Sequence, residues 1–347
     1  MKASLLALAV LVVPTAITLA QAPSNPPPAV EGFVNTARKA AGQDHLALFN
    51  NICTPPPAPQ PPGGRGRQGG ANNQQGPPPA PPRSEWAAEP AKVFDNLYFV
   101  GEKEYTAWAV TTSAGIIVID PLFEYSVEDQ VIGGLKKLGL DPGMIRFVVV
   151  SHAHRDHVAG AAALQNRGAR VLMAAADWEW LANDPARWPK AKRDIAMTDG
   201  YELTLGDTTL TLHLTPGHTP GTISTVIPVK DGARTHTALL WGGTGFNWRG
   251  GGGNNRYITP ERPAKWWYDQ YAASAAKMKK IAQTGNIDVV LSNHPQYDSY
   301  APKQAALGER GAGQPHPWVI GPESVQRFLT VAEECAKAGP LWVTPPR

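Results

Sequence analysis

His152-Ala153-His154-Arg155-Asp156-His157 follows directly on the apolar run Phe147-Val148-Val149-Val150. Three imidazoles and a carboxylate thus fall within six positions, at the end of what the β-branched run predicts to be a strand. Crowding four groups that each need a hydrogen-bond partner is costly to a fold. A divalent cation turns that cost into a coordination shell, because imidazole nitrogen and carboxylate oxygen are ligands that zinc takes. Without a metal the same stretch reads as a polar strand-to-helix turn, with Asp156 capping a helix from Val158 and the histidines solvated.

Two more histidines occupy comparable places. Leu214-Thr215-Pro216-Gly217-His218-Thr219-Pro220-Gly221 sets His218 between glycine-proline turns, and Asp288-Val289-Val290-Leu291-Ser292-Asn293-His294-Pro295 sets His294 at the end of an apolar strand. Both positions are where a chain leaves a sheet, on loops that can converge at one rim. His213 differs: Leu210, Leu212 and Leu214 alternate with Thr209, Thr211 and His213, which puts His213 on the polar face, solvated or supporting rather than ligating.

Taken in order, His-x-His-x-Asp-His, Gly-His-Thr-Pro-Gly and Ser-Asn-His-Pro resemble the metallo-β-lactamase superfamily, over residues 92 to 338. The likeness includes Asn96-Leu97-Tyr98-Phe99-Val100-Gly101, Gly115-Ile116-Ile117-Val118-Ile119-Asp120 and the helical stretch from Pro322 to Phe328. It implies an α/β fold, the four-layer αββα sandwich, with its site along one edge. It implies one zinc on His152, His154 and His218 and a second on Asp156, His157 and His294, so two Zn2+ per chain. Two such ions sit about 3.5–4 Å apart in related chemistry and bring bound water to a pKa near 7. The implied reaction is hydrolysis by hydroxide attack on a carbonyl carbon, with Asp156 orienting the nucleophile.

Departures from the family pattern bear on substrate. Thioesterases of this family carry a bridging aspartate in a Gly-Asp-Thr-like segment; here Trp241-Gly242-Gly243-Thr244-Gly245 places Gly243 there. Another β-lactamase subclass uses a cysteine ligand near this point, where this chain has Thr244. The ligand set is therefore most similar to the third subclass of metallo-β-lactamases, which implies β-lactam ring opening. The alternative is hydrolysis of another lactone, ester or thioester on the same fold, and a metal-binding scaffold without catalysis is a third class that six candidate ligands speak against. Thr244, Trp248, Arg249 and Arg155 are the candidate substrate contacts. Arg155 either reaches a substrate carboxylate or faces solvent; Trp248 and Arg249 either offer an apolar wall and a carboxylate partner or belong to a mobile loop, Gly242 to Asn255, with seven glycines.

The remaining sequence frames this domain. Lys and Arg number 32 against 29 Asp and Glu, a net charge of +3, so there is no basic surplus to attract nucleic acid and a small-molecule substrate is expected. Met1-Lys2 followed by the apolar stretch Leu5 to Ala20 reads as an export signal over 1–20, cleaved after 20 or 22, which implies a periplasmic or secreted bacterial protein with no membrane segment once mature. Residues 21–52 form a helical extension and 53–85 a linker in which Cys53 to Arg83 holds 11 prolines and six glycines among 31 residues, too few apolar groups to offset ordering. Residues 86–347 form the catalytic domain. Cys53 and Cys335 either close one disulfide between the extension and the last helix or remain two buried thiols.

Overall fold

The computed structural model describes residues 28–55, 79–249 and 256–343. The expected export signal, 1–20, and the Pro/Gly-rich stretch 56–78 lie outside the described residues. Two helices, α1 (Pro28–Ala41) and α2 (Leu46–Ile52), build the N-terminal extension, with the break at Gly42. One helical turn, α3 (Arg83–Trp86), leads into the first sheet. Its strands are β1 (Ala91–Phe94), β2 (Leu97–Phe99), β3 (Trp108–Thr112), β4 (Gly115–Ile119), β5 (Ile145–Val149), β6 (Arg170–Ala174) and β7 (Ile195–Met197). They lie side by side in chain order, antiparallel up to β4 and parallel from β4 to β7. All five residues of β4 are buried, as near-continuous apolar runs require when both faces of a parallel strand are covered.

The helices between these strands are α4 (Gly133–Lys137), α5 (Arg155–Val158), α6 (Ala161–Asn166) and α7 (Ala175–Ala182). Two sequence expectations change here. The amphipathic stretch Ser126 to Leu138, whose periodicity predicts one helix ending at Gly139, begins as a wider π-type turn, Val127–Ile132, before α4; the glycine pair Gly133-Gly134 at the junction weakens α winding. The helix expected from Val158 to Gln165 is broken between α5 and α6 at Gly160, where a Cβ would stand 2.1 Å from the Pro121 carbonyl oxygen.

The second sheet contains β8 (Tyr201–Leu205), β9 (Thr208–Leu214), β10 (Ile223–Asp231), β11 (Arg234–Trp241) and β12 (Val289–Ser292), in the order β12-β11-β10-β9-β8. Helix α8 (Ala264–Thr284), the short α9 (Tyr300–Gly308) and α10 (Pro322–Ala338) complete the chain. Three apolar layers separate the four structural ones. Leu97, Ile117, Ile119, Leu172, Leu210, Leu212, Leu240 and Leu291 meet between the sheets. Val131, Leu135, Val158 and Leu164 cover the outer face of the first sheet, and α1, α2, α8 and α10 cover that of the second through Leu48, Ile52, Tyr271, Met278, Phe328 and Leu329. This is the expected αββα sandwich. Cys53 and Cys335 are joined as a disulfide, tying the end of α2 to α10. Among the described residues no helix is long and apolar enough to cross a membrane.

Candidate metal centre

All three candidate ligand segments leave their strands at one rim. His152, His154, Asp156 and His157 follow β5 of the first sheet; His218 follows β9 and His294 follows β12, both of the second. The sandwich closes these turns on one another. His218 Nε2 lies 3.1 Å from His152 Nε2 and 3.0 Å from His154 Nδ1. Beside this triad, Asp156 Oδ2 lies 3.1 Å from His157 Nε2 and 3.9 Å from His294 Nε2. Within each group of three, the potential ligand atoms all fall within 4.8 Å of one another. The groups adjoin, with the His152 and His157 rings 4.4 Å apart.

The far nitrogen of each imidazole faces a polar partner, and for three of the rings this fixes the tautomer. His152 Nδ1 donates to the Gly242 carbonyl at 2.8 Å, His218 Nδ1 to Gly245 at 2.5 Å and His294 Nδ1 to Glu104 at 3.0 Å. Because a carbonyl only accepts, each ring carries its proton on Nδ1 and turns the lone pair of Nε2 into the site. His154 is reversed: its Nε2 meets the Tyr257 hydroxyl, leaving Nδ1 toward His218. His157 Nδ1 lies 3.0 Å from Asp120 Oδ2. Asp120 is itself held by Ser151, whose backbone N and Oγ both donate at 2.7 Å, and it has the left-handed φ of 58°.

Burial shapes the protonation. It depresses His154 and His294 to about 4 and takes His152 and His218 well below the ordinary imidazole range. The first triad is therefore neutral near pH 7, the form that coordinates metal. For Asp156 burial acts upward, but the His157, His294 and His154 rings overrule it and hold the carboxyl low. For His157 burial acts downward and is overruled by Asp156 and Asp120, which favour positive charge at that place. Three inward imidazole nitrogens beside two imidazoles and an ionised carboxylate make a donor set that fits a divalent metal.

Two supporting residues carry no signal in the sequence. Asp177, near the start of α7, accepts from Ala153 N at 2.7 Å, Thr219 Oγ1 at 2.8 Å and Gly221 N at 2.6 Å, so one carboxylate fastens the first histidine turn to the His218 turn. Burial raises it to about 6. Tyr257 lies 103 positions from His154, and a lone tyrosine after a glycine-rich loop announces nothing. Asp120 ends a stretch whose family likeness is legible, but its hold on His157 is not. Asp120→Asn is expected to lower metal affinity about 10–100-fold, the usual penalty for losing a partner behind a ligand. Competition against a chromophoric chelator measures this, and unchanged affinity contradicts the role.

The expected substrate contacts are corrected by their placement. Arg155 turns neither to solvent nor into the site: its guanidinium grips Glu124, with Nε 3.1 Å from Oε2, and lies over the Phe123 ring. Thr244 is fully buried, its Oγ1 3.4 Å from Ser292 Oγ. Trp248 is buried and stacks on Trp267 of α8 at 5.7 Å. Arg249 turns to the N-terminal extension, where it meets the carbonyls of Ile52 and Thr54. Tyr105 lies at the rim, 5.3 Å from the His294 ring, whereas Trp108 is core. His213 stands off the site beside Asp199, at 3.9 Å. Gly243 packs its Cα against His218, so that a Cβ would fall 2.5 Å from His218 Cβ; the position has no room for a carboxylate.

Comparison with known proteins agrees with this arrangement. Residues 100–235 match the family model of the metallo-beta-lactamase superfamily. The human mitochondrial persulfide dioxygenase ETHE1 is 28% identical over 150 residues, 43% of this chain and 49% of that protein. A hydroxyacylglutathione hydrolase of Anaeromyxobacter dehalogenans is 30% identical over 161 residues, 46% of this chain and 51% of the relative. The chain thus spans about half the length of the curated relatives it matches. Solved structures cover more. BJP-1, a subclass B3 metallo-β-lactamase of Bradyrhizobium japonicum, superposes with a TM-score of 0.60 at 30% identity, covering 71% of this chain and 91% of that one. Native FEZ-1 metallo-β-lactamase of Legionella gormanii gives 0.59 at 26%, covering 70% and 91%. With the sandwich, the two triads and a 30% identical solved structure matched over 91% of its own length, the chain belongs to the metallo-β-lactamase superfamily.

Proposed function

We propose that the protein is an exported zinc hydrolase that opens β-lactam rings by attack on the amide carbonyl, with lactones and related cyclic esters as further substrates. The observation that carries this reading is the pair of adjoining triads without a bridging carboxylate, in a chain whose structural neighbours include subclass B3 metallo-β-lactamases. The donor types suit zinc, two ions per chain: His152, His154 and His218 for one, Asp156, His157 and His294 for the other. When bound, such a pair supplies Lewis-acid polarisation of a carbonyl and a water acidic enough to react at neutral pH. The chain does the rest. Neutral imidazoles with their Nδ1 protons fixed on Gly242 and Gly245 keep the first triad aimed inward. Asp156, held ionised, would orient the attacking water by accepting a hydrogen bond from it at a carboxylate oxygen. The Cys53–Cys335 disulfide accords with an oxidising compartment such as the periplasm, the destination the N-terminal signal implies.

Turnover of a chromogenic cephalosporin with and without a chelator tests the reading. Ring opening that chelator removes and added zinc restores is expected. No opening of penicillins, cephalosporins or carbapenems by zinc-replete protein ends it.

A second reading is hydrolysis of another lactone, ester or thioester. The engagement of nearby cations favours it: Arg155 is on Glu124, Arg249 on the extension, and Arg256 on the Trp180 carbonyl and 3.8 Å from Asp184. A β-lactam carboxylate would have none of these three guanidinium groups to itself.

A further inference from the structure

A cavity of about 300 Å³ lies apart from the metal centre, and none of the six ligand residues lines it. Three parts of the chain enclose it: the turn between α1 and α2, the segment from Asp298 into α9, and the adjoining sides of β12 and α10. Val290 and Phe328 are buried and, with Ile320, give it an apolar floor. Asp44, Pro302 and Ala306 are exposed and mark its mouth. Against the floor stand an acid and a base that form no ion pair with each other. Asp298 is 4% exposed; its Oδ2 accepts from Ser292 N at 2.8 Å, and its Oδ1 has no hydrogen-bond partner among the described residues. The Lys303 ammonium, in the first turn of α9, rests 4.9 Å from the centre of the Trp318 ring. Burial raises Asp298 to about 7 and lowers Lys303, and the charge of each partly offsets the shift of the other. Buried charges left without a close partner are costly, so a ligand that brings both opposite charges is favoured here. His45 adds an acceptor. Its Nε2 faces the Ser324 carbonyl at 3.0 Å, so the proton sits there and Nδ1 keeps its lone pair.

We propose that this cavity binds a small zwitterion with an apolar body, of the class of an aliphatic α-amino acid. The ammonium lies on Asp298 Oδ1, the carboxylate on Lys303, and the side chain over Val290, Ile320 and Phe328. The volume corresponds to about ten waters of bulk liquid, enough for one such molecule. No side chain caps the start of α9 at Ser299, so the positive end of that helix adds to the pull of Lys303 on a carboxylate. Asp44 and His45 come from the N-terminal extension, so the cavity is complete only with the extension docked on α10. The site does not depend on which substrate the metal centre hydrolyses.

Calorimetric titration of the full chain with leucine, isocaproate, isoamylamine and glycine tests this. Leucine is expected to bind. The other three lack the ammonium, the carboxylate or the apolar body, and each is expected to bind at least about tenfold more weakly. Lys303→Met keeps the apolar stem and removes the charge; it should weaken leucine by at least about tenfold and leave isoamylamine unchanged, a split that general loosening of the fold would not produce. Ala306→Phe fills the mouth and should weaken both. Neither residue touches the metal centre, so metal content and Tm are expected to stay near native in both variants. Should one variant fold poorly, the other decides. No binding at millimolar leucine, isocaproate or isoamylamine binding as tightly as leucine, or undiminished leucine binding in a folded variant overturns the proposal.

Discussion

Replacing His152 with alanine is expected to remove metal from the first triad and to lower hydrolysis by more than about three orders of magnitude, each order being about 1.4 kcal/mol of barrier. His152 is fully buried, with Nδ1 on the Gly242 carbonyl and Nε2 facing His218. Alanine leaves two imidazoles where a catalytic zinc needs three protein ligands. The loss reaches further than one ligand. His218 loses the neighbour at 3.1 Å, and the Gly242 carbonyl keeps only the Asn293 amide, at 2.9 Å. Metal analysis by mass spectrometry, turnover and thermal unfolding together separate metal loss from misfolding. The native protein is expected to rise in Tm on adding zinc because the metal binds only the folded state, whereas the variant rises less. Retention of two metal equivalents with full turnover would refute the assignment of His152.

How much of this centre was legible in the sequence follows from chain distance. His152, His154, Asp156 and His157 share one turn after one strand, so their residue types alone pointed to coordination. His218 and His294 were legible because one sits between glycine-proline turns and the other ends an apolar strand. Their second partners were not. Asp120 and Asp177 are ordinary carboxylates at the ends of a strand and the start of a helix, and only the packing of α7 and β4 around β5 brings them to the site. The errors share a cause. Arg155, Trp248 and Arg249 lie within a few positions of the metal turns or their glycine-rich loop, and sequence proximity suggested substrate contact. Their partners come from elsewhere: Glu124 is 31 positions away and Thr54 is 195. The layer order was likewise beyond periodicity, since strand patterns do not state which sheet a strand joins. Only the family likeness supplied it.

Removal of the Cys53–Cys335 disulfide is expected to lower unfolding free energy by about 4–5 kcal/mol, the range for closing a very long loop. The bridge spans 282 positions, so in the unfolded chain it restrains nearly the whole catalytic domain. It is not what docks the extension. Leu48, Phe49 and Ile52 are buried in the same apolar layer as Phe328, Leu329 and Val331 of α10, and that contact is expected to survive reduction. The double variant Cys53→Ser/Cys335→Ser should therefore fold, with a lower denaturant midpoint and a larger m-value as its unfolded state expands. The effect also has a route to the site. Arg249 rests on the carbonyls of Ile52 and Thr54, on either side of Cys53, and lies over Phe246, which adjoins the Gly245 carbonyl that holds His218. Loosening that turn is expected to weaken metal affinity far less than the loss of a ligand, because Gly242, Glu104 and Asp120 still orient the other rings. Denaturant titrations of native and double-variant protein decide the stability claim. An unchanged midpoint would mean that burial of α1 and α2 against α10 already closes the loop in both states.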